Sequence, residues 1–192
     1  MTDGKMSAVR RRTKKQIQES FIGLLEVKPF QEITVRDLCE AADINRATFY
    51  RYYVDLNELN DELADNLFQE LFCNLADRGV ARSSTDRTEA RALFMEALRI
   101  MEKNRQLCRN LLRGTKGAFA KRLRSSLELL VYEDSRCQLP EEAGLMLDYM
   151  MAGIIESAQS WLESGCAVDK ANFADMLYEA CMPCFHLLDQ LQ

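Results

Sequence analysis

The sequence predicts an all-α protein on three observations. Proline occurs only at positions 29, 140 and 183, and glycine only eight times in 192 residues, so little interrupts a helix. No stretch sustains the period-2 alternation of a half-buried strand. Apolar residues recur instead at intervals of three and four along nearly the whole chain.

The first helical pattern covers about residues 9–27, with Ile17, Phe21, Leu24 and Leu25 on one face, and Pro29 ends it. A short second helix starts at Thr34, whose hydroxyl is suited to cap Val35-Arg36-Asp37, and it buries Val35, Leu38 and Cys39. A turn at Asp43-Ile44-Asn45 leads to a third helix over 46–53, capped by Asn45. Asp55 followed by Glu58 reads as a capping-box-like start for a long fourth helix over 56–77, with leucines at 59, 63, 67, 71 and 75. Residues 78–86 are polar, lose the periodicity and read as a loop.

The second half adds further helices. Residues 87–103 carry Phe94, Ala97, Leu98 and Met101, and 104–113 form a short helix closed by Gly114. Residues 116–133 carry Phe119, Leu123, Leu127, Leu130 and Val131. Pro140, suited to a first helical turn, opens a pattern that runs to Ser164 and stops at Gly165. The last helix, 169–191, bears the stripe Phe173, Met176, Leu177, Ala180, Cys181, Cys184, Phe185 and Leu188. No internal repeat is present. The expected organisation is a first domain over 1–55, a connecting helix over 56–77 and a second helical domain over 78–192.

Composition narrows the function classes. At 47% hydrophobic and 29% charged, the chain has the mixture of an ordinary globular protein. No run of about 18 apolar residues offers a membrane span. The opening residues lead into Arg10, Arg11 and Arg12 rather than an apolar signal region, so a cytoplasmic protein is expected. The net charge of −5 hides an asymmetry: residues 1–53 carry 10 Lys/Arg against 7 Asp/Glu, whereas the remainder carries 15 against 23. A basic first quarter on an acidic body suits one end to a polyanion, although an uneven spread of solvated charge gives the same totals.

Cysteine and histidine chemistry is sparse. Seven cysteines are scattered, mostly on apolar positions, so no disulfide framework is read. Cys181-Met182-Pro183-Cys184 lies beside the single histidine, His186. It lacks the βαβ setting of a dithiol redox site and the remaining ligands of a zinc site, so the pair reads as core thiols beside a proline kink. No acid, base and nucleophile form a coherent group. An enzyme is therefore not expected, nor is a cofactor or metal.

Residues 33–59 are the informative stretch. Two short capped helices meet at a three-to-four-residue turn, the layout of a helix-turn-helix whose second helix enters the DNA major groove. Arg46, Thr48, Tyr50 and Arg51 supply donors, Phe49 and Tyr53 supply a buried side, and Asn45-Arg46-Ala47 presents the helix N-terminus.

These residues resemble the TetR family of bacterial regulators. The family pattern is small-small-Gly-hydrophobic-Ser-x-Gly-Thr-hydrophobic-Tyr-x-aromatic-Phe-x-Ser-Lys-x-x-Leu. Here it reads Ala41-Ala42-Asp43-Ile44-Asn45-Arg46-Ala47-Thr48-Phe49-Tyr50-Arg51-Tyr52-Tyr53-Val54-Asp55-Leu56-Asn57-Glu58-Leu59. Three departures stand out. Asp43 replaces a turn glycine at a position where Asp tolerates left-handed backbone. Ala47 adds a methyl where glycine would let the backbone approach a base. Leu56 replaces a lysine that contacts phosphate.

The resemblance implies an N-terminal three-helix helix-turn-helix DNA-binding domain followed by a helical ligand-binding and dimerisation domain. It implies phosphate contacts from Thr34, Tyr50 and the cap Asn45, and base-edge contacts from Arg46, Ala47, Thr48 and Arg51. Arg10, Arg11 and Arg12, with Lys14 and Lys15, would form a flexible basic lead-in suited to the minor groove; the alternative is solvated charge ahead of a helix. The second half is similar, more loosely, to the branch of dihydroxyacetone-kinase-type regulators. Gly153 and Ser157, four residues apart, suit close helix approach, and Trp161 adds an apolar anchor. With the last helix they make a four-helix dimer interface the expected burial, against an intrachain core as the other possibility. Met101, Phe119, Tyr149 and Trp161 are the candidate lining of an effector cavity, against an ordinary core role.

The expected function is a sequence-specific DNA-binding transcriptional regulator. It would be a homodimeric repressor on a pseudo-palindromic double-stranded operator, released by a small-molecule or protein effector. The alternative is a helical ligand- or protein-binding module whose DNA readout is weakened by Ala47 and Leu56. The sequence does not specify the effector, the operator or the regulated genes.

Overall fold

The structure, a computed structural model, describes residues 3–76, 87–114, 121, 122, 125 and 141–190. Every regular element among them is helical: α1 (Asp3–Val27), a 3-10 turn (Phe30–Glu32), α2 (Val35–Ala41), α3 (Arg46–Tyr50), α4 (Leu56–Ala76), α5 (Arg87–Lys103), α6 (Arg105–Gly114), α7 (Glu141–Glu163) and α8 (Lys170–Gln190). The expected loop at 78–86 lies outside the described residues. So does the expected helix at 116–133, apart from 121, 122 and 125. The chain divides into two compact units, Met1–Asn66 and Leu67–Gln192, with the boundary inside α4.

Two elements differ from the sequence reading. Helix α1 starts at Asp3, six residues before the apolar pattern does. Lys5, Met6 and Ala8 in its first turns are strong helix formers, but those turns carry no apolar period in the sequence. Arg10, Arg11 and Arg12 are therefore helical and exposed, which corrects the flexible lead-in. Helix α3 ends at Tyr50 rather than 53. The Arg51 and Tyr52 amides donate to carbonyls three residues back, Thr48 at 3.2 Å and Phe49 at 2.9 Å, and this tightening closes the helix early.

In the first unit, Ile17 and Phe21 of α1, Leu38 of α2, Phe49 of α3 and Leu59 of α4 are fully buried together with Tyr53. Each such side chain is worth about 1.5–3 kcal/mol of transfer free energy. Thr34 and Asp37 form a reciprocal capping box on α2. The other end of α2 closes with Ile44 N–H donating to Cys39 O (3.0 Å) and Asp43 N–H to Glu40 O (3.4 Å), a Schellman arrangement. Asp43 occupies its left-handed position at φ 48°, as the departure from glycine implied. Helix α1 satisfies the adjacent carbonyls, since Gln16 Nε2 donates to Ala42 O (2.7 Å) and Ser20 Oγ to Ala41 O (3.3 Å). Helix α1 is thus tied to the end of α2 where the chain turns toward α3.

In the second unit α5 and α7 pack on α8, and α6 packs on α7. Leu98, Ile100, Cys108, Leu147 and Leu162 are fully buried. Arg91 of α5 pairs with Asp175 of α8 through two hydrogen bonds. Helix α7 ends in a second Schellman arrangement, with Gly165 at φ 74° followed by Cys166 at φ 62°.

The last two helices separate what periodicity had merged. Trp161 is buried within its own chain, stacked on Phe173 at 5.5 Å, with its indole N–H donating to Val168 O at 2.8 Å. It is thus an anchor of the intrachain core. Met176 and Ala180 leave the buried stripe and are exposed, whereas Phe173, Ala174, Leu177, Tyr178, Cys181 and Cys184 are buried. Cys181 and Cys184 pack with Ala143, Leu147 and Met150 as core thiols. Burial pushes the Cys181 thiol up to about 12, far from the range of a reactive thiolate.

Candidate nucleic-acid interface

Helix α3 is five residues long, and its two sides divide cleanly. Asn45 caps it, its Oδ1 accepting from the Thr48 amide at 2.7 Å. Phe49 is fully buried and meets the Tyr50 ring edge-on at 5.3 Å, with Tyr53 behind it at 6.0 Å. Arg46, Ala47, Tyr50 and Arg51 are exposed, and Thr48 is half-buried. Arg51 Nη2 donates to Thr48 Oγ1 at 3.4 Å, which ties one guanidinium to the helix. Five of the expected contact residues, Arg46, Ala47, Thr48 and Tyr50 of α3 and Arg51 at its C-cap, thus lie together on a short segment backed by aromatic packing.

Thr34 is engaged differently. Its amide and its hydroxyl both donate to Asp37 Oδ2, at 2.8 and 2.7 Å, while the hydroxyl accepts from the Asp37 amide at 3.2 Å. A phosphate needs a donor, and both of Thr34's donors are committed to the cap. The same carboxylate oxygen accepts from Lys28 Nζ at 2.7 Å. Lys28 first, and then Thr34, hold the Asp37 carboxyl well below the usual carboxylate range.

The basic residues of α1 divide in two. Lys14 pairs with Glu62 at 2.7 Å and lies 5.7 Å from the centre of the Tyr53 ring, and Lys15 pairs with Glu19 at 3.4 Å. Arg10, Arg11 and Arg12 are exposed and have no acidic partner among the described residues. The structure also brings together Gln18, Tyr53 and Glu62, which the sequence reading did not connect. Gln18 Nε2 donates to the Tyr53 hydroxyl at 3.2 Å and to Glu62 Oε1 at 3.1 Å.

The three described candidate effector residues differ in burial. Tyr149 is 73% exposed on α7, Trp161 is sealed against Phe173, and Met101 is half-buried on α5. Phe119 lies outside the described residues. Their apolar spacing had placed them on helices without saying which side of each helix faces inward, and Tyr149 belongs to the outward side. Among the described residues no helix is long and apolar enough to cross a membrane, and no group of three or more His, Cys, Asp or Glu is placed to hold a metal ion.

Comparison with known proteins adds three findings. Residues 88–182 match a family model described as a transcriptional regulator C-terminal region. The chain is 34% identical over 65 residues to the HTH-type dhaKLM operon transcriptional activator DhaS of Lactococcus lactis subsp. lactis (strain IL1403). That alignment spans 34% of this chain and 35% of the relative, about a third of its length. Among solved structures, a TetR transcriptional regulator from Streptococcus agalactiae 2603V superimposes with a TM-score of 0.64 at 25% identity, covering 91% of this chain and 96% of that one. A dihydroxyacetone kinase operon activator DhaS gives 0.56 at 20% identity, over 93% and 96%. The TetR family repressor AlkX from Dietzia sp. strain DQ12-45-1b gives 0.55 at 18% identity, over 92% and 97%. The last two likenesses concern the fold alone.

Proposed function

The chain belongs to the TetR family of transcriptional regulators, and we propose that it binds a pseudo-palindromic operator as a homodimer through α3. The observation that carries this reading is the division of α3 into a buried aromatic back and an exposed front of Arg46, Ala47, Tyr50 and Arg51. Arg46 and Thr48 read base edges, Arg51 is steadied beside them by Thr48, and Tyr50 meets phosphate. Arg10, Arg11 and Arg12 add charge from the side of α1. Thr34 serves by holding α2 in place.

The dimer reading is supported by the outward sides of α7 and α8. Leu145 and Tyr149 are 65% and 73% exposed on α7, and Met176 is 62% exposed on α8. Gly153 lies on the same side of α7 as Leu145 and Tyr149, and a Cβ there would meet nothing within 4 Å. Its smallness answers no need among the described residues, which suits close approach by a second copy. Two such subunits present two recognition helices to half-sites one helical turn, or a multiple of it, apart.

Binding of this kind represses transcription wherever the operator overlaps a promoter, and an effector that favours another arrangement of the dimer releases it. A second reading, activation, is favoured by the likeness to DhaS, which is named an activator. Footprinting on DNA upstream of the coding region, paired with a reporter driven from the same fragment, tests both readings. Protection of two symmetric half-sites with reporter loss supports repression, and the same footprint with reporter gain supports activation. A single half-site bound by a monomer overturns the dimer.

A further inference from the structure

In the first unit the most extensive backbone packings are α1 on α2 and α2 on α3, and side chains of α4 join α1 and the segment after α3. Leu59 and Leu63 supply an apolar part of that junction. The polar part is built around Tyr53, the third residue after α3. Its ring is 2% exposed, so its hydroxyl is removed from water and needs partners. Gln18 of α1 donates to it at 3.2 Å, and the Glu62 carboxylate of α4 acts electrostatically on the phenol. Gln18 also donates to Glu62 Oε1 at 3.1 Å, and Lys14 of α1 reaches that same oxygen at 2.7 Å. Helices α1 and α4 and the segment after α3 therefore meet around one phenol, and each polar group of the cluster has a partner.

The position of this cluster matters more than its strength. Phe49 and Tyr53 are one helical turn apart, and the Tyr53 amide donates to Phe49 O at 3.1 Å. Whatever fixes the Tyr53 ring therefore fixes the end of α3. Apolar contacts alone are non-directional and permit sliding and rotation, whereas a hydrogen-bonded phenol admits one register. We propose that Gln18, Tyr53, Glu62 and Lys14 form a polar clasp that sets where the recognition helix lies on α4, making the Tyr53 hydroxyl a positioning residue for DNA binding. This rests on the reading of α3 as the DNA-contacting helix.

The test uses the full-length protein and the Tyr53→Phe variant, which removes one oxygen and keeps the ring. Operator affinity should fall about three- to tenfold with Tm little changed, since phenylalanine buries well and α1–α3 remain capped. Amide hydrogen exchange of Phe49, Tyr52 and Tyr53 should accelerate, while that of Phe21 and Leu38 should stay at the wild-type rate. Glu62→Gln keeps an acceptor and should retain most of the affinity. Glu62→Leu should reproduce the loss, and Tyr53→Phe combined with Glu62→Leu should be no worse than Glu62→Leu alone. Unaltered exchange at the end of α3 together with unaltered operator affinity in Tyr53→Phe overturns the clasp. If the wild-type protein binds no DNA, the DNA-binding reading fails by itself. The exchange rates then still decide whether the clasp positions α3.

Discussion

Lys28 Nζ stands 2.7 Å from Asp37 Oδ2, the oxygen that also accepts from the Thr34 hydroxyl at 2.7 Å. One carboxylate thus closes the cap of α2 and ties the segment after α1 to it. A carboxyl held below its ordinary value contributes stability that is full above the unfolded value. That contribution declines as pH falls below about 3.9 and is gone below the folded value. Asp37→Asn should therefore lower Tm at pH 7 by an amount that stays constant down to about pH 5 and shrinks in stronger acid. Thermal melts of both proteins across that range check it. A difference that closes between pH 7 and pH 5 would reject the assignment.

Arg46 and the arginines of α1 should fail in different ways. Arg46→Ala should cost about 1–3 kcal/mol on the operator and little on random DNA, as expected of a base-edge contact. Neutralising Arg10, Arg11 and Arg12 should weaken binding to both and flatten the dependence of log K on log[salt], by about 0.9 for each phosphate that no longer has a cation beside it. Equal losses on every sequence from Arg46→Ala would make Arg46 a phosphate contact.

What was legible in the sequence is local chemistry. Thr34, Asn45 and Asp55 act as caps because a short oxygen-bearing side chain beside a helix start has few other uses, and the Glu58 amide does donate to Asp55 Oδ1 at 2.9 Å. Asp43 at positive φ belongs to the same class. What was not legible depends on which residues meet. Gln18 is 35 positions from Tyr53 and 44 from Glu62, and no periodicity links them. The family pattern carries phenylalanine where this chain has Tyr53, so the extra hydroxyl was the available signal that polar partners wait there. In α7, two apolar sides coexist, and spacing alone could not assign Trp161 to the core and Tyr149 to the surface.

The dimer reading predicts a clean separation of folding from association. Tyr149→Asp places a charge on an exposed position of the subunit, so its secondary structure should survive while the sedimentation coefficient falls to that of a monomer. Gly153→Leu improves helix propensity, and its Cβ meets nothing within 4 Å among the described residues. A loss of dimer in that variant with its thermal stability kept would therefore arise between subunits. Operator affinity should drop in parallel. Unchanged sedimentation of both variants would favour a purely intrachain role for these helices.

The buried thiols of α8 should be inert in the native state. Cys181, raised to about 12 by burial, should react with a thiol reagent at pH 8 no faster than the protein opens, and rapidly once denaturant is added. Cys181→Ser should destabilise the fold by about 1–3 kcal/mol, because a hydroxyl there is placed in the apolar cluster of Ala143, Leu147, Met150 and Cys184. Fast native-state modification accompanied by altered DNA binding would instead indicate a redox role.

Leu56 opens α4 immediately after the Asp55 cap and is half-buried. The TetR pattern carries a lysine here that reaches phosphate. Such a charge would lie beside the DNA backbone and away from base edges, so its gain should not depend on sequence. Leu56→Lys should tighten operator and random DNA by similar factors and steepen the log K against log[salt] slope by about 0.9. Two costs oppose the gain: a half-buried leucine is lost, and a cation at a helix N-terminus opposes the macrodipole by about 0.3–1 kcal/mol. A lower Tm should therefore accompany tighter binding. Isotherms at several salt concentrations, read beside melting curves, separate the effects. A variant that stays folded, with tighter binding absent and the slope unchanged, would mean that this end of α4 faces away from DNA.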